Sequence, residues 1–178
     1  MQKMQDGTVT LRLLAPDDAP AYRALRLRAL TEHPEAFTSS AGDEAEKPLA
    51  WSVQRLGADA ARPHDFFIGA FHGESLVGMV GVQGRYRPKE RQNATVVGLY
   101  VAPEAAGQGL GWALMQALLS RARALPGLAQ LDLTVTEGSP RAQRLYARCG
   151  FAVWGVLPRA IRVNGRDHAK VHMVMVLR

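Results

Sequence analysis

The stretch of sequence that decides the fold reads VGLYVAPEAAGQGLG over residues 97–111, an apolar segment followed by a glycine-rich loop. The apolar part predicts a strand over Ala94–Val101 that ends before Pro103. The glycines open a helix, which the spacing of its leucines predicts over Gly109–Ala124. Backbone N–H groups at a helix start, reinforced by the helix dipole, bind phosphate oxygens, and glycine lets the anion approach closely. The stretch therefore predicts a site for a phosphate-bearing ligand.

Two other phosphate-binding loops can be compared with this one by their spacing. A nucleoside-triphosphate loop is excluded, because Gly111 is followed by Trp112 and Ala113 where Lys and Ser or Thr are required. A dinucleotide loop requires a third glycine at the position of Trp112 and an acidic residue at the end of the next strand, whereas Asp132 lies inside its predicted strand. On this stretch alone, a dinucleotide loop and a connection that binds no ligand both stay open.

Outward from the loop, hydrophobic periodicity and turn residues predict an α/β fold in which a mixed sheet of about seven strands is covered by about four helices. The other predicted elements are strands over 8–14, 65–72, 75–83, 128–136, 151–163 and 167–177, helices over 19–30, 49–56 and 140–148, a polar loop over 37–47 and a basic loop over 84–92. Asn164-Gly165 predicts a two-residue turn between the last two strands, and Ser139 is a candidate cap for the helix that Pro140 begins.

The composition predicts one globular domain over residues 1–178, since 47% of the residues are hydrophobic and the chain is long enough to bury an apolar core. The single cysteine, Cys149, excludes a disulfide framework and a cysteine-rich zinc module. The five histidines lack the spacing of metal ligands within one helix, so we predict no metal site. Met1–Gly7 lack the apolar stretch of a secretory signal, and no run approaches the length of a membrane helix, which predicts a cytoplasmic protein without a membrane segment.

The charge balance is basic, with 22 Lys and Arg against 16 Asp and Glu. Such a balance suits nucleic acid, an anionic membrane or a phosphate-rich small molecule. The arginines are scattered along the chain rather than gathered in one run with aromatic residues, so the pattern does not favour nucleic acid.

Several stretches together resemble one known family. Val101-x-Pro103 followed by Gly107–Gly111 is similar to the acetyl-CoA-binding loop of the GNAT superfamily of N-acetyltransferases, Gln/Arg-x-x-Gly-x-Gly/Ala. Residues 142–151 resemble that family's Ala-x-x-Leu-Tyr-x-x-x-Gly-Phe segment, and parts of 8–40 and 158–173 are similar to one bacterial branch. The chain departs from the pattern at Ala106, where the family has Gln or Arg, and at Ser139, where many members have Asn. The resemblance implies a GNAT-like fold with a mostly antiparallel sheet.

The resemblance also implies which residues hold acetyl-CoA as a co-substrate, with no metal involved. We expect backbone amides of the glycine loop to bind the diphosphate. We expect the bulged strand before the loop to hydrogen-bond the pantetheine and to polarise the acetyl oxygen. The implied cofactor-binding residues are Leu99, Tyr100, Val101, Gly107, Gln108, Gly109, Leu110, Gly111, Trp112, Ser139 and Tyr146. The side chain that Ala106 lacks would weaken acetyl-CoA binding unless Gln108 or Arg141 compensates for it.

Tyr146 is the predicted general acid, because a phenol keeps its proton at neutral pH and can give it to a leaving thiolate. Its alternative is a packed aromatic on an amphipathic helix. No carboxylate lies in the strand segment 94–98 to act as general base, and Glu44 and Glu104 stay open as bases or as ordinary loop residues. Cys149 has no evident His or Asp partner, so we do not expect it to carry the acyl group.

These residues predict an enzyme that moves acetyl from acetyl-CoA to a primary amine by direct attack in a ternary complex. The acceptor is a small-molecule amine or a protein amine, and we expect Phe37–Ser40 and the final hairpin to contact it. A non-catalytic acyl-CoA-binding regulatory module of the same fold is the first alternative, and a basic nucleic-acid binder is the second. A homodimer is one assembly consistent with such a domain.

Overall fold

The computed structural model describes residues 8–177, and its centre is a single sheet of seven strands. The strands are β1 (Val9–Leu13), β2 (Phe66–His72), β3 (Ser75–Gly84), β4 (Asn93–Val101), β5 (Gln130–Thr136), β6 (Ala152–Val163) and β7 (Arg166–Val176). Their order in the sheet is β1-β2-β3-β4-β5-β7-β6, and only the β4–β5 pair is parallel. The predicted mixed, mostly antiparallel sheet is therefore confirmed. The prediction about Met1–Gly7 lies outside the described residues.

Within residues 8–177, five α-helices cover this sheet, one more than the sequence predicted. They are α1 (Ala19–Glu32), α2 (Ala41–Glu46), α3 (Leu49–Leu56), α4 (Leu110–Ala124) and α5 (Pro140–Cys149). The additional helix, α2, lies inside the predicted polar loop 37–47. Ser40 caps it by accepting a hydrogen bond from the Asp43 N–H at 3.0 Å, and acidic residues occupy its first turn. Its six residues, three of them acidic and the others alanine or glycine, show no apolar periodicity, which is why the sequence pattern did not reveal this helix.

The core forms on both faces of the sheet because successive side chains of a strand point in opposite directions. Phe66 and Ile68 belong to the cluster under α4, whose Leu114 and Leu118 are fully buried. Phe67 belongs to the opposite cluster, under α1 and α3. No helix within residues 8–177 has both the length and the apolar character needed to cross a bilayer.

The final hairpin forms as predicted. Asn164 and Gly165 both have positive φ, 47° and 75°, and join β6 directly to β7. β6 is an edge strand, and Val153, Trp154, Val156 and Leu157 on it are more than half exposed. The predicted homodimer stays a prediction.

Candidate active site

The two parallel strands at the centre of the sheet separate shortly after they pair. Within the described residues β4 pairs with β5 only over Asn93–Thr95, against Gln130–Asp132. The register of β4 against β3 also shifts between Met79 and Gly81, and Gly98 opposite this point has φ of 67°. At this point two residues of β4 lie opposite one residue of β3, which is a β-bulge. A bulge bends the strand that carries it. The sheet is therefore open beside the second half of β4, where backbone groups face a gap.

The glycine loop lies at the end of this strand and begins α4. Gly107 and Gly109 have φ of 81° and 76°, a left-handed conformation that side chains disfavour. Gly109 is the N-cap of α4, and no side chain caps this helix start. A Cβ added at either glycine would contact nothing within 4 Å, so the loop faces open space. The first N–H groups of a 15-residue helix are thus available to a ligand.

A cavity of about 390 Å³, which we call the loop cavity, opens beside these groups. It is lined by His33, Ala36 and Phe37, by residues 99–101 of β4, by residues 105–107 and 109–112 of the glycine loop and α4, and by Arg141 and Leu145 of α5. This lining is mostly apolar along β4 and cationic at Arg141. An elongated ligand with an anionic group at the helix start and an apolar arm along β4 would fit it.

A second cavity of about 310 Å³, which we call the polar cavity, lies on the other side of Phe37. It is lined by Arg26, Glu44, Lys47, Trp51 and Arg55, by residues 36–39, by Gln83, by residues 95–98 of β4, and by Thr134 and Lys170. Residues 96–98 of β4 line the polar cavity and residues 99–101 line the loop cavity, so the two meet at the bulge. A ligand in each would place two reacting groups beside Gly98 and Leu99.

The segment between α1 and α2 forms the wall that both cavities share, because Ala36 and Phe37 line both. Lys170 of β7 holds this wall: its Nζ donates to the Ala36 carbonyl at 3.1 Å and to Thr136 Oγ1 at 2.8 Å. The Thr136 hydroxyl in turn donates to the Glu35 carbonyl at 2.6 Å. Burial lowers the pKa of Lys170, whose side chain is only 4% exposed.

Comparison with known proteins agrees with this arrangement. The profile of the acetyltransferase (GNAT) family matches residues 26–151, a segment that contains β4, the glycine loop and α5. The chain belongs to the GNAT acetyltransferase family. Its resemblance to that family, noted from the motifs, is therefore confirmed.

Curated GNAT relatives include proteins that act on different molecules. The chain is 35% identical over 153 residues to the mycothiol acetyltransferase of Salinispora tropica, covering 85% of this chain and 47% of that protein. It is 34% identical over 119 residues to the N-alpha-acetyltransferase RimI of Mycobacterium tuberculosis, covering 66% of this chain and 71% of that protein. The chain thus spans about half the length of the mycothiol acetyltransferases that it matches.

Solved GNAT structures share the fold. An acetyltransferase of the GNAT family from Streptococcus pneumoniae superposes with a TM-score of 0.86 at 21% identity, over 95% of this chain and 99% of that one. The protein yncA of Salmonella typhimurium, solved with acetyl-CoA, superposes with a TM-score of 0.78 at 22% identity, over 96% and 95%. At this identity the likeness confirms the fold class, and the reaction has to be argued from the residues of the site.

The structure brings most of the predicted cofactor-binding residues to the loop cavity. Those that line it are Leu99, Tyr100, Val101, Gly107, Gly109, Leu110, Gly111 and Trp112. Gln108, Ser139 and Tyr146 do not line it. Ser139 is the N-cap of α5, but its side chain makes no capping hydrogen bond. Sequence reasoning did not assign His33 and Leu145 to this cavity, nor Arg26, Lys47 and Lys170 to the polar cavity, because the sequence does not show which distant segments pack together.

Tyr146, the predicted general acid, follows Leu145 on α5 and packs edge-on against Phe151, with ring centroids 6.2 Å apart. Burial raises the pKa of Tyr146 above its ordinary value, so the phenol keeps its proton at neutral pH. Tyr146 lines neither the loop cavity nor the polar cavity, whereas its neighbour Leu145 lines the loop cavity. Its catalytic role stays a prediction.

The two candidate bases occupy different surroundings. Glu44 lines the polar cavity and is 4% exposed, with its Oε2 2.7 Å from Lys47 Nζ. Glu104 lies at the surface, where Arg28 holds both of its oxygens at 2.7 and 2.9 Å and lowers its pKa. Of the two carboxylates, only Glu44 faces a cavity.

Cys149 lies at the end of α5 in the core and lines neither cavity. Burial raises the pKa of its thiol, which disfavours the nucleophilic thiolate. Among the described residues, no group of His, Cys, Asp and Glu could hold a metal ion.

We expect Cys149→Ala to leave kcat within about twofold of the unchanged enzyme, because the thiol is buried away from both cavities. The lost packing should lower the free energy of unfolding by about 1 kcal/mol. Steady-state kinetics and chemical denaturation measure the two effects. A fall in kcat as large as that of Tyr146→Phe would instead indicate an acyl-cysteine route.

Proposed function

We propose that this GNAT domain transfers acetyl from acetyl-CoA to a primary amine by direct attack within a ternary complex. The observation that carries the proposal is the meeting of two cavities at the β4 bulge, one below the glycine loop and one lined by polar side chains. A route through two cavities brings donor and acceptor together without an enzyme-bound acyl group. The names of two relatives, an N-alpha-acetyltransferase and a phosphinothricin N-acetyltransferase, support the reaction class.

The chain's residues have distinct roles in this reaction. N–H groups of Gly107–Trp112 bind the diphosphate, and β4 around Leu99 contacts the pantetheine arm and donates an N–H to the thioester carbonyl. That donor stabilises the oxyanion as charge develops, an effect of about 2.7–4 kcal/mol in known oxyanion holes. The ammonium first gives a proton to water, and the neutral amine then attacks the thioester carbonyl, forming the N–C bond and the oxyanion. When the oxyanion collapses, the C–S bond breaks and Tyr146 gives its proton to the departing thiolate. The nitrogen sheds its second proton as the amide forms, and a proton from solvent restores the Tyr146 phenol.

Arg141 supplies the charge that Ala106 does not. Its exposed side chain lines the loop cavity near the start of α4, whereas Gln108 does not line it. A guanidinium at this position can pair with a phosphate oxygen in a charge-assisted hydrogen bond. Of the two residues expected to compensate, the geometry supports Arg141.

We expect Arg141→Gln to weaken acetyl-CoA binding about tenfold, near the lower end for a charge-assisted bond because the side chain is exposed. Titration calorimetry at two salt concentrations measures this, and the variant should also show a weaker salt dependence. Arg144→Gln is the matched control, since Arg144 is exposed on the same helix and lines neither cavity. Equal losses in both variants would remove Arg141 from the cofactor site.

Calorimetry with acetyl-CoA, followed by thiol release with a panel of amines, tests the function as a whole. Binding in the micromolar range and thiol release that depends on an amine are the expected results. Binding without thiol release for any amine would favour the regulatory module. Affinity for duplex DNA that falls steeply with salt, in the absence of acetyl-CoA binding, would favour the nucleic-acid binder.

A further inference from the structure

The polar cavity is lined by a buried guanidinium whose Nε donor is unsatisfied. Arg26 of α1 is 9% exposed, and its Nε has no hydrogen-bond acceptor within residues 8–177. Glu44 Oε1 lies 3.6 Å from this nitrogen, too far for a hydrogen bond. The guanidinium instead lies under the Phe37 ring, 5.1 Å from its centroid, and faces the bulge at Gly98. A buried cation with an unsatisfied donor is unfavourable, so an anionic acceptor that a ligand delivers to this guanidinium would be bound strongly.

The side chains around Arg26 carry more positive than negative charge. Lys47, Arg55 and Lys170 also line the polar cavity, and Glu44 is the one carboxylate among its lining residues. Glu44 Oε2 already pairs with Lys47 Nζ at 2.7 Å, and one carboxylate cannot neutralise all of these cations. Arg55 is fixed by donating to the Tyr22 hydroxyl at 3.0 Å and by packing over Trp51. The lining therefore carries an excess of positive charge that an anionic group would offset.

A simple alkyl amine is a poor ligand for such a cavity. It enters as a cation and would be repelled by four positive side chains facing one carboxylate. An amine that also bears a negative group has no such penalty. Once bound, its ammonium would lie in a positive environment that lowers its pKa and favours the neutral, nucleophilic form. This effect assists deprotonation in a site where residues 94–98 of β4 carry no carboxylate.

Resting on the proposed function, we infer that the acceptor is a small amine carrying a carboxylate, of the amino-acid type, and that Arg26 binds this carboxylate. The planar guanidinium fork matches a carboxylate with two parallel hydrogen bonds. The cavity, about 310 Å³, is at the small end of ligand sites and fits a molecule of amino-acid size. Because the guanidinium faces the bulge at Gly98, a carboxylate bound to Arg26 would hold an α-amine close to the bulge, where the two cavities meet.

The test compares matched ligands that differ only in charge. L-amino acids and the corresponding amino-acid amides are titrated into the CoA-bound protein and then assayed for thiol release with acetyl-CoA. We expect at least one amino acid to bind, with kcat/KM about 10- to 30-fold above that of its amide. Equal use of acid and amide, or no binding of any amino acid to the CoA complex, would overturn the inference. Preference for acidic peptides over free amino acids would overturn it as well.

Variants locate the effect at Arg26. Arg26→Gln should raise KM for the amino acid and reduce the acid-to-amide preference to about onefold, while acetyl-CoA affinity stays the same. Arg26→Lys, which keeps charge without the fork, should retain part of the preference. Arg12→Gln is the control, because Arg12 lies on β1 outside both cavities. Full preference in a folded Arg26→Gln would contradict the assignment, and unchanged acetyl-CoA binding separates this outcome from failure of the proposed function.

Discussion

Gly109→Glu should reduce acetyl-CoA affinity by at least about 100-fold. The substitution adds a side chain at a residue with φ of 76°, where a non-glycine backbone costs about 1–2 kcal/mol. It also places a carboxylate at the anion-binding start of α4. At about 5 Å and an effective dielectric constant of about 20, its repulsion with a phosphate charge is about 3 kcal/mol, which alone corresponds to about 100-fold. Titration calorimetry with acetyl-CoA measures the loss.

Gly73→Glu is the matched control for this variant. Gly73 also has positive φ, 59°, and open space around it, but it lies in the β2–β3 turn and lines neither cavity. It carries the same backbone strain and the same charge without touching the glycine loop. We expect Gly73→Glu to bind acetyl-CoA normally. Normal binding by Gly109→Glu as well would place the diphosphate elsewhere.

Tyr146→Phe should lower kcat about 100-fold, within the range of general acid catalysis, with little change in acetyl-CoA affinity. The phenylalanine keeps the ring that packs on Phe151, so the stability of α5 should be preserved. Since burial raises the pKa of Tyr146, the wild-type rate should not fall on the alkaline side until above about pH 10, where the phenol loses its proton. Thiol release at saturating acetyl-CoA measures kcat across this range.

A control for the hydroxyl deletion is Tyr86→Phe. The Tyr86 hydroxyl donates to Asp65 at 2.6 Å, and the residue lines neither the loop cavity nor the polar cavity. Its loss should affect stability and leave kcat unchanged. An unchanged kcat in Tyr146→Phe would assign Tyr146 to packing against Phe151, the alternative that its sequence pattern also allows.

Local sequence patterns predicted the parts of the fold that local forces form. The Asn164-Gly165 turn has positive φ at both residues, and the chain ends α5 at Gly150 with φ of 104°, as glycine at those positions indicates. The helix α2 was missed because a capping serine and two acidic residues stabilise it, without a buried apolar stripe. Sequence patterns reveal interactions between residues that are close in the chain. A short helix without an apolar face contains few such interactions.

The loop cavity was largely predictable for the same reason. Its glycines, the strand before them and the helix after them are consecutive in sequence, so one motif marks most of its lining. The sequence did not predict that Leu145 lines the cavity and that Ser139 does not. Both depend on how α5 packs beside α4, which is a matter of side-chain fit between two helices.

The sequence by itself determined a mixed α/β sheet, a glycine-rich helix start that exposes N–H groups, and membership of an acyltransferase family. Only the tertiary structure decided that Arg26, Glu44 and Lys170, from α1, α2 and β7, surround one cavity at the β4 bulge. The physical reason is the range of the forces. Turns, caps and strand patterns arise from neighbouring residues, whereas a buried cluster of charges exists only after distant segments have packed and excluded water from between them.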